Sequence, residues 1–190
     1  YLHTSLDVSN PGHLHLFEEG LDLWLVTLQN ATTCSPDFLN FIPAAISFME
    51  IGNENLKKIL HILEAYIVLA PLETLRAYAD PLFTGISSKL GTFTAEASNA
   101  ILRLIDTTLL SCYQAACFPA LFQVMVSKGF LMKMMNVVLI GEELNTIIVG
   151  FLMVLHRITI YDAPSFLTNI IQQGDAGLNR YLDVILEKVR

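Results

Sequence analysis

The stretch from Asn10 to Ala31 reads as one helix that is apolar around too much of its circumference for the surface of a compact domain. Asn10 is a favourable N-cap residue, and Pro11 fits the first helical position, where its missing N–H costs nothing. One apolar stripe repeats every three or four residues, and further apolar residues widen it: Leu14, Phe17, Leu21, Trp24 and Leu28, then Leu16, Leu23, Leu25 and Val26. A narrow polar strip remains: His15, Glu18 and Asp22. We therefore expect several neighbours to cover this helix, as in a layered helical stack.

Signals for helix starts and ends recur along the rest of the chain, with short turns between them. Ser35-Pro36-Asp37 combines a cap, a first-turn proline and a first-turn acid and predicts one helix through about Ile51, and Asp162-Ala163-Pro164 opens another helix. Further boundaries are predicted at Gly52-Asn53, at Thr94 and at Glu142-Glu143, with a break near residues 111–114. No segment shows a convincing run of strand alternation, so the sequence predicts an all-α fold. The approximate repeats cover residues 10–51, 53–91, 94–127 and 142–173, followed by a final helix over 178–190.

The spacing of these signals predicts an α-solenoid of antiparallel helix pairs. Pro36 and Pro71 are 35 residues apart, and the helix starts at Asn55 and about Ala95 are 40 apart. Periods of roughly 40 to 47 residues are typical of HEAT or armadillo-like repeats. A compact bundle also contains amphipathic helices, but it does not require such wide apolar faces. We interpret residues 1–190 as a single partial solenoid segment, with the repeat boundary between Lys128 and Glu143 left open.

Composition narrows the classes of partner. The chain is 53% hydrophobic and 15% charged, which is unusually apolar for a soluble protein, so much of its surface is expected to meet more protein. Its net charge of −7 disfavours nucleic acid and favours basic protein segments. Thr107 to Ser127 carries no charge over the length of a membrane span, but its polar residues and central Pro119 argue against insertion.

Other features bear on origin and compartment. The chain begins at Tyr1 and shows no signal peptide, so we expect it to be a piece of a longer protein. Cys34, Cys112 and Cys117 are an odd set without zinc-site spacing, which favours reduced thiols in a cytosolic or nuclear protein.

The sequence disfavours catalysis. It contains no phosphate-binding glycine loop, no Gly-x-Ser-x-Gly turn and no His-Glu-x-x-His motif. His13 and His15 are two residues apart and so lie on different faces of a helix. His15 beside Glu18 could be half of an acid–base pair, but the pair fits a solvated polar strip better. We predict no enzyme activity, no metal and no cofactor.

Two segments, "DVSNPGHLHLFEEGLDLWLVTLQNA" and "SPDFLNFIPAAISFMEIGNENLKKILHILEAYIVLAP", resemble the importin-β (karyopherin) superfamily. The resemblance is strongest from Asp7 to about Leu90, and a weaker resemblance is present at "FLMVLHRITIYDAPSF". The intervening "GFLMKMMNVVLIG" departs from the pattern, being longer and more apolar.

This resemblance implies a HEAT-repeat nuclear transport receptor that shuttles between cytoplasm and nucleus. Such receptors bind protein cargo and phenylalanine-glycine (FG) nucleoporins, and import cargo is released by Ran-GTP. The Ran site is expected in repeats outside this segment, and grooves between neighbouring first helices are expected to accept phenylalanine side chains. The branch that the chain most resembles is expected to import ubiquitin-conjugating enzymes and a ribosomal protein. A helical-repeat scaffold or regulatory subunit without transport activity is the alternative.

Helical spacing also predicts one exposed ridge on the helix from Leu72 to Leu90. Its residues lie opposite the apolar stripe: Glu73, Arg76, Asp80, Thr84 and Ser87. The resemblance implies that second helices line the concave side of a solenoid, so we expect this ridge to face a partner. An ordinary solvated face is the alternative.

Overall fold

The computed structural model describes residues 2–7, 15–51, 54–90, 95–141, 145–172 and 175–188. These residues form helices joined by short turns and contain no β-strand, which confirms the predicted all-α fold. The helices are α1 (Leu2–Ser5), α2 (Phe17–Gln29), α3 (Pro36–Leu39), α4 (Ile42–Ile51), α5 (Leu56–Leu69), α6 (Pro71–Lys89), α7 (Ala95–Gln114), α8 (Phe118–Ser127), α9 (Phe130–Ile140), α10 (Asn145–Tyr161), α11 (Ala163–Ile171) and α12 (Asp175–Lys188).

The helices pack as two layers. In the first layer α2 packs on α5, α5 on α7, and α7 on α10. In the second layer α4 packs on α6, and α6 on α8. Each second-layer helix follows its first-layer partner in the chain, which is the arrangement of a helical-repeat solenoid. The division into the predicted repeats stays a prediction.

The core runs continuously between the layers, and Trp24 is among its largest fully buried side chains. Its indole Nε1–H donates to the Tyr66 hydroxyl at 2.8 Å, and that hydroxyl donates to the Phe38 carbonyl at 2.8 Å. Burial raises the pKa of Tyr66, because the charged phenolate would lose its hydration. These bonds tie α2, α5 and α3 together at the first helix pair.

Two helix boundaries differ from the sequence prediction. The single helix predicted from Ser35 to Ile51 is wrong: it breaks into α3 and α4 at Asn40 and Phe41. Pro43 explains the break, because it has no N–H to donate and its ring would clash with the carbonyl four residues earlier. The predicted Ser35 cap is confirmed, since its hydroxyl accepts the Phe38 N–H at 3.3 Å.

The break predicted near residues 111–114 instead follows Gln114, where Ala116 takes a left-handed conformation with φ of 55°. The helix start predicted at Asp162-Ala163-Pro164 is confirmed: α11 begins at Ala163, and the Asp162 carboxylate caps it by accepting the Ser165 N–H at 3.1 Å. The proposed Asn10 cap, Gly52-Asn53, Thr94 and Glu142-Glu143 lie outside the described residues. The final helix begins at Asp175 rather than near Leu178.

The segment that departs from the family pattern forms the additional helix α9. Gly129 and Gly141 bound it, both left-handed with φ of 64° and 69°, a conformation that favours glycine. α9 packs on α8, α10 and α12 and so stands between two successive helix pairs.

Within the described chain, no single helix is long and apolar enough to cross a bilayer. Two pairs of consecutive helices reach that length and composition only when the two helices of a pair are counted as one segment. Both pairs are sharply bent, by 67° between α8 and α9 and by 117° between α10 and α11.

Candidate partner-binding surfaces

The predicted ridge on α6 is largely exposed. Glu73, Arg76, Asp80 and Thr84 are exposed, and helical spacing places them along one side of α6. The exposure predicted for Ser87 is wrong, because Ser87 is only 4% exposed and belongs to the buried side of the helix. Its carbonyl accepts a hydrogen bond from Lys133 Nζ of α9 at 2.7 Å, so α9 reaches this end of α6, which the α6 sequence alone does not reveal. Whether the ridge faces a partner stays a prediction.

A groove of about 690 Å³ runs beside this ridge, between α4 and α6. Its walls carry Ile46 and Glu50 from α4, with Asp80 and Thr84 from α6. Lys128, at the end of α8, contributes to its lining and lies 2.8 Å from Asp80. The groove therefore combines apolar and acidic groups, and Lys128 already neutralises one carboxylate.

The polar strip of α2 is exposed as predicted, and it also contacts the next helix. His15, Glu18 and Asp22 are all exposed. Lys58 Nζ of α5 lies 2.6 Å from Asp22 and 3.7 Å from Glu18. The strip thus contributes to the α2–α5 contact, a role that helical periodicity within α2 could not reveal.

Similar ion pairs link the other first-layer helices. Arg103 Nε on α7 lies 2.8 Å from the Glu64 carboxylate on α5, and the Thr107 hydroxyl donates to the same oxygen at 2.9 Å. Arg157 of α10 pairs with Asp106 of α7. These polar contacts lie across the helix interfaces of the first layer.

A second groove, of about 440 Å³, opens in the first layer between α2, α5 and α7. Leu28, Ala65, Val68 and Leu69 supply its apolar lining, and Arg103 lies at its polar edge. Val68 is 61% exposed, so the groove offers apolar surface that solvent can reach.

Two thiols line a third cavity, of about 360 Å³, between α6 and the α7–α8 turn. Cys112 is buried and Cys117 is half-buried, and both are free thiols. The Cys117 N–H donates to the Cys112 carbonyl at 2.9 Å, which closes the α7 end as a Schellman-type turn. Burial raises the pKa of the Cys112 thiol, and contact with Cys117 adds to this. The thiol therefore stays protonated, and the cavity lining is mostly apolar with Arg76 as a charged member.

Within the first layer, exposed apolar side chains are most frequent on the two end helices. On α2 they are Leu16, Leu23 and Val26, with Leu16 at its N-cap, and on α10 they are Val149, Met153 and Ile160. Among the residues that the structure describes, the predicted broad cover of α2 is therefore incomplete. The inner helices α5 and α7 expose fewer such residues, because each is flanked by first-layer neighbours on both sides.

Comparisons with known proteins show which family this chain matches. A family model described as "Importin-11-like, TPR repeats" matches residues 2–189. Importin-11 of Mus musculus is 28% identical over 188 residues, which is 99% of this chain. Importin-11 of Homo sapiens is 28% identical over 185 residues, or 97% of the chain. The chain spans 18% of the length of each relative. No solved structure matches.

Proposed function

Because the chain belongs to the importin-11-like family, within the importin-β superfamily, we propose that it is a segment of a nuclear transport receptor. The receptor carries protein cargo through the nuclear pore and shuttles between cytoplasm and nucleus, and it is not an enzyme. The match over residues 2–189 carries this proposal, because it covers almost the whole helical array. By the same family relation, we propose ubiquitin-conjugating enzymes or a ribosomal protein as cargo.

The exposed ends of the first layer support the segment interpretation. Apolar faces on α2 and α10 expose side chains such as Val26 and Ile160, which are 54% and 79% exposed. In a solenoid each repeat buries such faces only against its neighbours. Further helix pairs packed on α2 and α10 would cover both faces, and Ran-GTP would bind repeats outside residues 1–190.

We propose the first-layer groove between α2, α5 and α7 as the FG-nucleoporin site. A phenylalanine ring needs an accessible apolar surface, and Ala65, Val68 and Leu69 supply one in this groove. Val68 is 61% exposed, so a ring bound there stays partly in solvent and gains little, which suits the weak, reversible contacts of transport through the pore.

We propose the groove between α4 and α6, with its ridge, as part of the cargo surface. Glu50, Glu73 and Asp80 place three carboxylates along it against two cations, Arg76 and Lys128, so one net negative charge remains after Lys128 pairs with Asp80. The predominance of acidic groups favours a basic cargo segment.

Binding of the 190-residue chain to immobilised FG repeats tests the nucleoporin site. Val68→Asp places a charge in the groove and is expected to weaken binding at least fivefold. Val26→Asp is the matched control, because Val26 has a similar exposure but is not among the residues that line the groove. Equal binding by both variants would contradict this site.

Charge reversal tests the cargo surface in the full-length protein that contains this chain. Glu73→Lys on α6 is expected to weaken cargo binding, whereas Glu19→Lys on α2 is expected to leave it unchanged. Both glutamates are exposed and occupy the first turn of their helices, so the two changes perturb helix stability alike. Unchanged affinity in Glu73→Lys would remove the ridge from the cargo site.

A further inference from the structure

Two thiols meet where α7 ends and α8 begins. Cys112 lies in the last turn of α7, and Cys117 is the N-cap residue of α8. Ala116, just before Cys117, takes a left-handed conformation with φ of 55°. Its N–H donates to the Tyr113 carbonyl at 3.1 Å, and the Cys117 N–H donates to the Cys112 carbonyl at 2.9 Å. These two bonds complete a Schellman motif, which places the side chains of Cys112 and Cys117 next to each other.

The backbone brings the two cysteines close enough for a disulfide bond. The Cys117 nitrogen lies 2.9 Å from the Cys112 oxygen, and standard bond lengths then hold the two Cα atoms at most about 6.8 Å apart. Disulfides join Cα atoms that are about 4.4 to 6.8 Å apart. The two thiols are also hydrogen-bonded to each other, and this adds to the larger effect of burial in raising the pKa of Cys112. A covalent bond between them therefore needs little rearrangement of the turn.

The two cysteines differ in their access to solvent. Cys112 is buried, whereas Cys117 is half-buried. Both line the cavity of about 360 Å³ between α6 and this turn, which gives a small molecule room beside the pair. A thiol-reactive molecule therefore meets Cys117 first, and Cys112 reacts with whatever Cys117 has bound.

Cys34 provides a contrast within the same chain. It lies in the turn before α3, and its thiol donates to the Ser35 carbonyl at 3.8 Å. Burial and the nearby Glu73 raise the pKa of Cys34, without a contribution from another thiol. A small molecule attached to Cys34 thus has no thiol of the described chain beside it to displace it, whereas one attached to Cys117 has Cys112.

We propose that Cys112 and Cys117 form a reversible disulfide bond, with Cys117 as the thiol that first attacks a small disulfide such as glutathione disulfide. Cys117 releases its proton, and its sulfur attacks one sulfur of glutathione disulfide. A mixed disulfide between Cys117 and glutathione forms. The displaced glutathione thiolate leaves and takes up a proton.

Cys112 completes the exchange. Its sulfur attacks the Cys117 sulfur and gives up its proton, and the second glutathione thiolate leaves and takes up that proton. Two protein thiols are oxidised, and one glutathione disulfide is reduced to two glutathione molecules. Contact between the thiols makes this step intramolecular, which favours it over attack by free glutathione. A reducing compartment returns the pair to thiols, so the bond forms only under oxidising conditions. The inference does not depend on the proposed function.

The bond joins the end of α7 in the first layer covalently to the start of α8 in the second layer. In the reduced chain this turn opens when two backbone hydrogen bonds break. We therefore expect the amide protons of Ala116 and Cys117 to exchange with solvent more slowly in the oxidised chain. Equal exchange in the two forms would contradict a disulfide that fixes the turn.

Mass spectrometry of the 190-residue chain tests the inference. The chain carries Cys34→Ser, is equilibrated with mixtures of glutathione and glutathione disulfide, and is then alkylated and digested with chymotrypsin. Cleavage after Tyr113 separates the two cysteines, so a disulfide between Cys112 and Cys117 holds two peptides together. We expect these linked peptides to exceed the mixed disulfide with glutathione about tenfold, and to separate when dithiothreitol is added.

Single variants distinguish the roles of the two thiols. Cys112→Ser is expected to leave Cys117 as a stable mixed disulfide with glutathione. Cys117→Ser is expected to slow the reaction of Cys112 at least tenfold, because Cys112 is buried. A circular dichroism melt of each variant shows that the fold is retained, and Cys112→Ala replaces Cys112→Ser if the serine variant does not fold.

Two results would overturn the inference. In one, the chain with both thiols accumulates as much mixed disulfide with glutathione as the Cys112→Ser variant does. In the other, the linked peptides form only when urea has unfolded the chain.

Discussion

Replacing Tyr66 by Phe removes one hydroxyl that hydrogen-bonds to two parts of the first helix pair. The hydroxyl accepts from Trp24 Nε1–H and donates to the Phe38 carbonyl, each at 2.8 Å, and Tyr66 is fully buried. The replacement keeps the ring and its edge contact with Trp24, with centroids 6.1 Å apart. The variant therefore changes hydrogen bonding with little change of packing.

The expected cost follows from what each partner loses. Trp24 is buried, so its indole N–H is left without an acceptor, which costs about 1 to 3 kcal/mol. The Phe38 carbonyl keeps the Phe41 N–H at 3.1 Å, so only the ordinary value of a hydrogen bond is lost there, about 0.5 to 1.5 kcal/mol. We expect Tyr66→Phe to lower the free energy of unfolding by about 1.5 to 4.5 kcal/mol.

Urea unfolding of the 190-residue chain measures this cost. Trp24 is the single tryptophan, so its fluorescence reports directly on this site, and far-UV circular dichroism follows the helices. Tyr78→Phe is the matched control, because Tyr78 is half-buried and no hydrogen bond of its hydroxyl within the described residues would be lost. A Tyr66→Phe midpoint within error of the Tyr78→Phe midpoint would refute the reasoning.

Because the pKa of Tyr66 is raised, the effect of Tyr66→Phe on stability is expected to depend on pH. A raised pKa in the folded state means that the stabilisation is complete below the unfolded pKa, which is about 10 for tyrosine. It is lost as pH rises above that value, because only the unfolded chain then releases the proton easily. We expect the stability difference between the unmodified chain and Tyr66→Phe to shrink above about pH 10.

Three further predictions concern single sites. Gly129→Ala is expected to lower the free energy of unfolding by about 1 kcal/mol, because Gly129 has a φ of +64° that alanine adopts only with strain. No atom lies within 4 Å of the added methyl group, so the cost comes from the backbone alone, and an unchanged urea midpoint would contradict it. Glu64→Ala is expected to lower stability by about 1 to 2 kcal/mol, because it removes two hydrogen bonds to a carboxylate that is only 13% exposed. Glu96→Ala, at a side chain that is 70% exposed, is expected to change stability little, and equal effects of the two variants would refute this role of burial. Ellman's reagent is expected to label Cys117 well before Cys112, since Cys112 is buried and its pKa is raised; equal rates would show that the cavity opens readily.

Local periodicity was sufficient to predict the fold class. The stripe of Leu21, Trp24 and Leu28 is buried as predicted, because three- and four-residue spacing determines which side of a helix is apolar. Proline and cap signals also located helix starts such as those after Ser35 and Asp162. These features depend on neighbours along the chain, so a sequence contains them directly.

Features that depend on residues far apart in the chain were not predicted. Ser87 has the spacing of an exposed residue, but helix α9 packs near it through Lys133, 46 residues away. The hydrogen bond between Trp24 and Tyr66 joins residues 42 apart, and nothing in either helix alone indicates it.

Binding of the full-length protein that contains this chain to immobilised FG repeats, with and without Ran-GTP and cargo, tests the central claim most directly. The account predicts that it binds FG repeats and releases its cargo when Ran-GTP is added. A protein that keeps cargo in the presence of Ran-GTP and does not bind FG repeats would be a helical-repeat scaffold, and the transport account would be wrong.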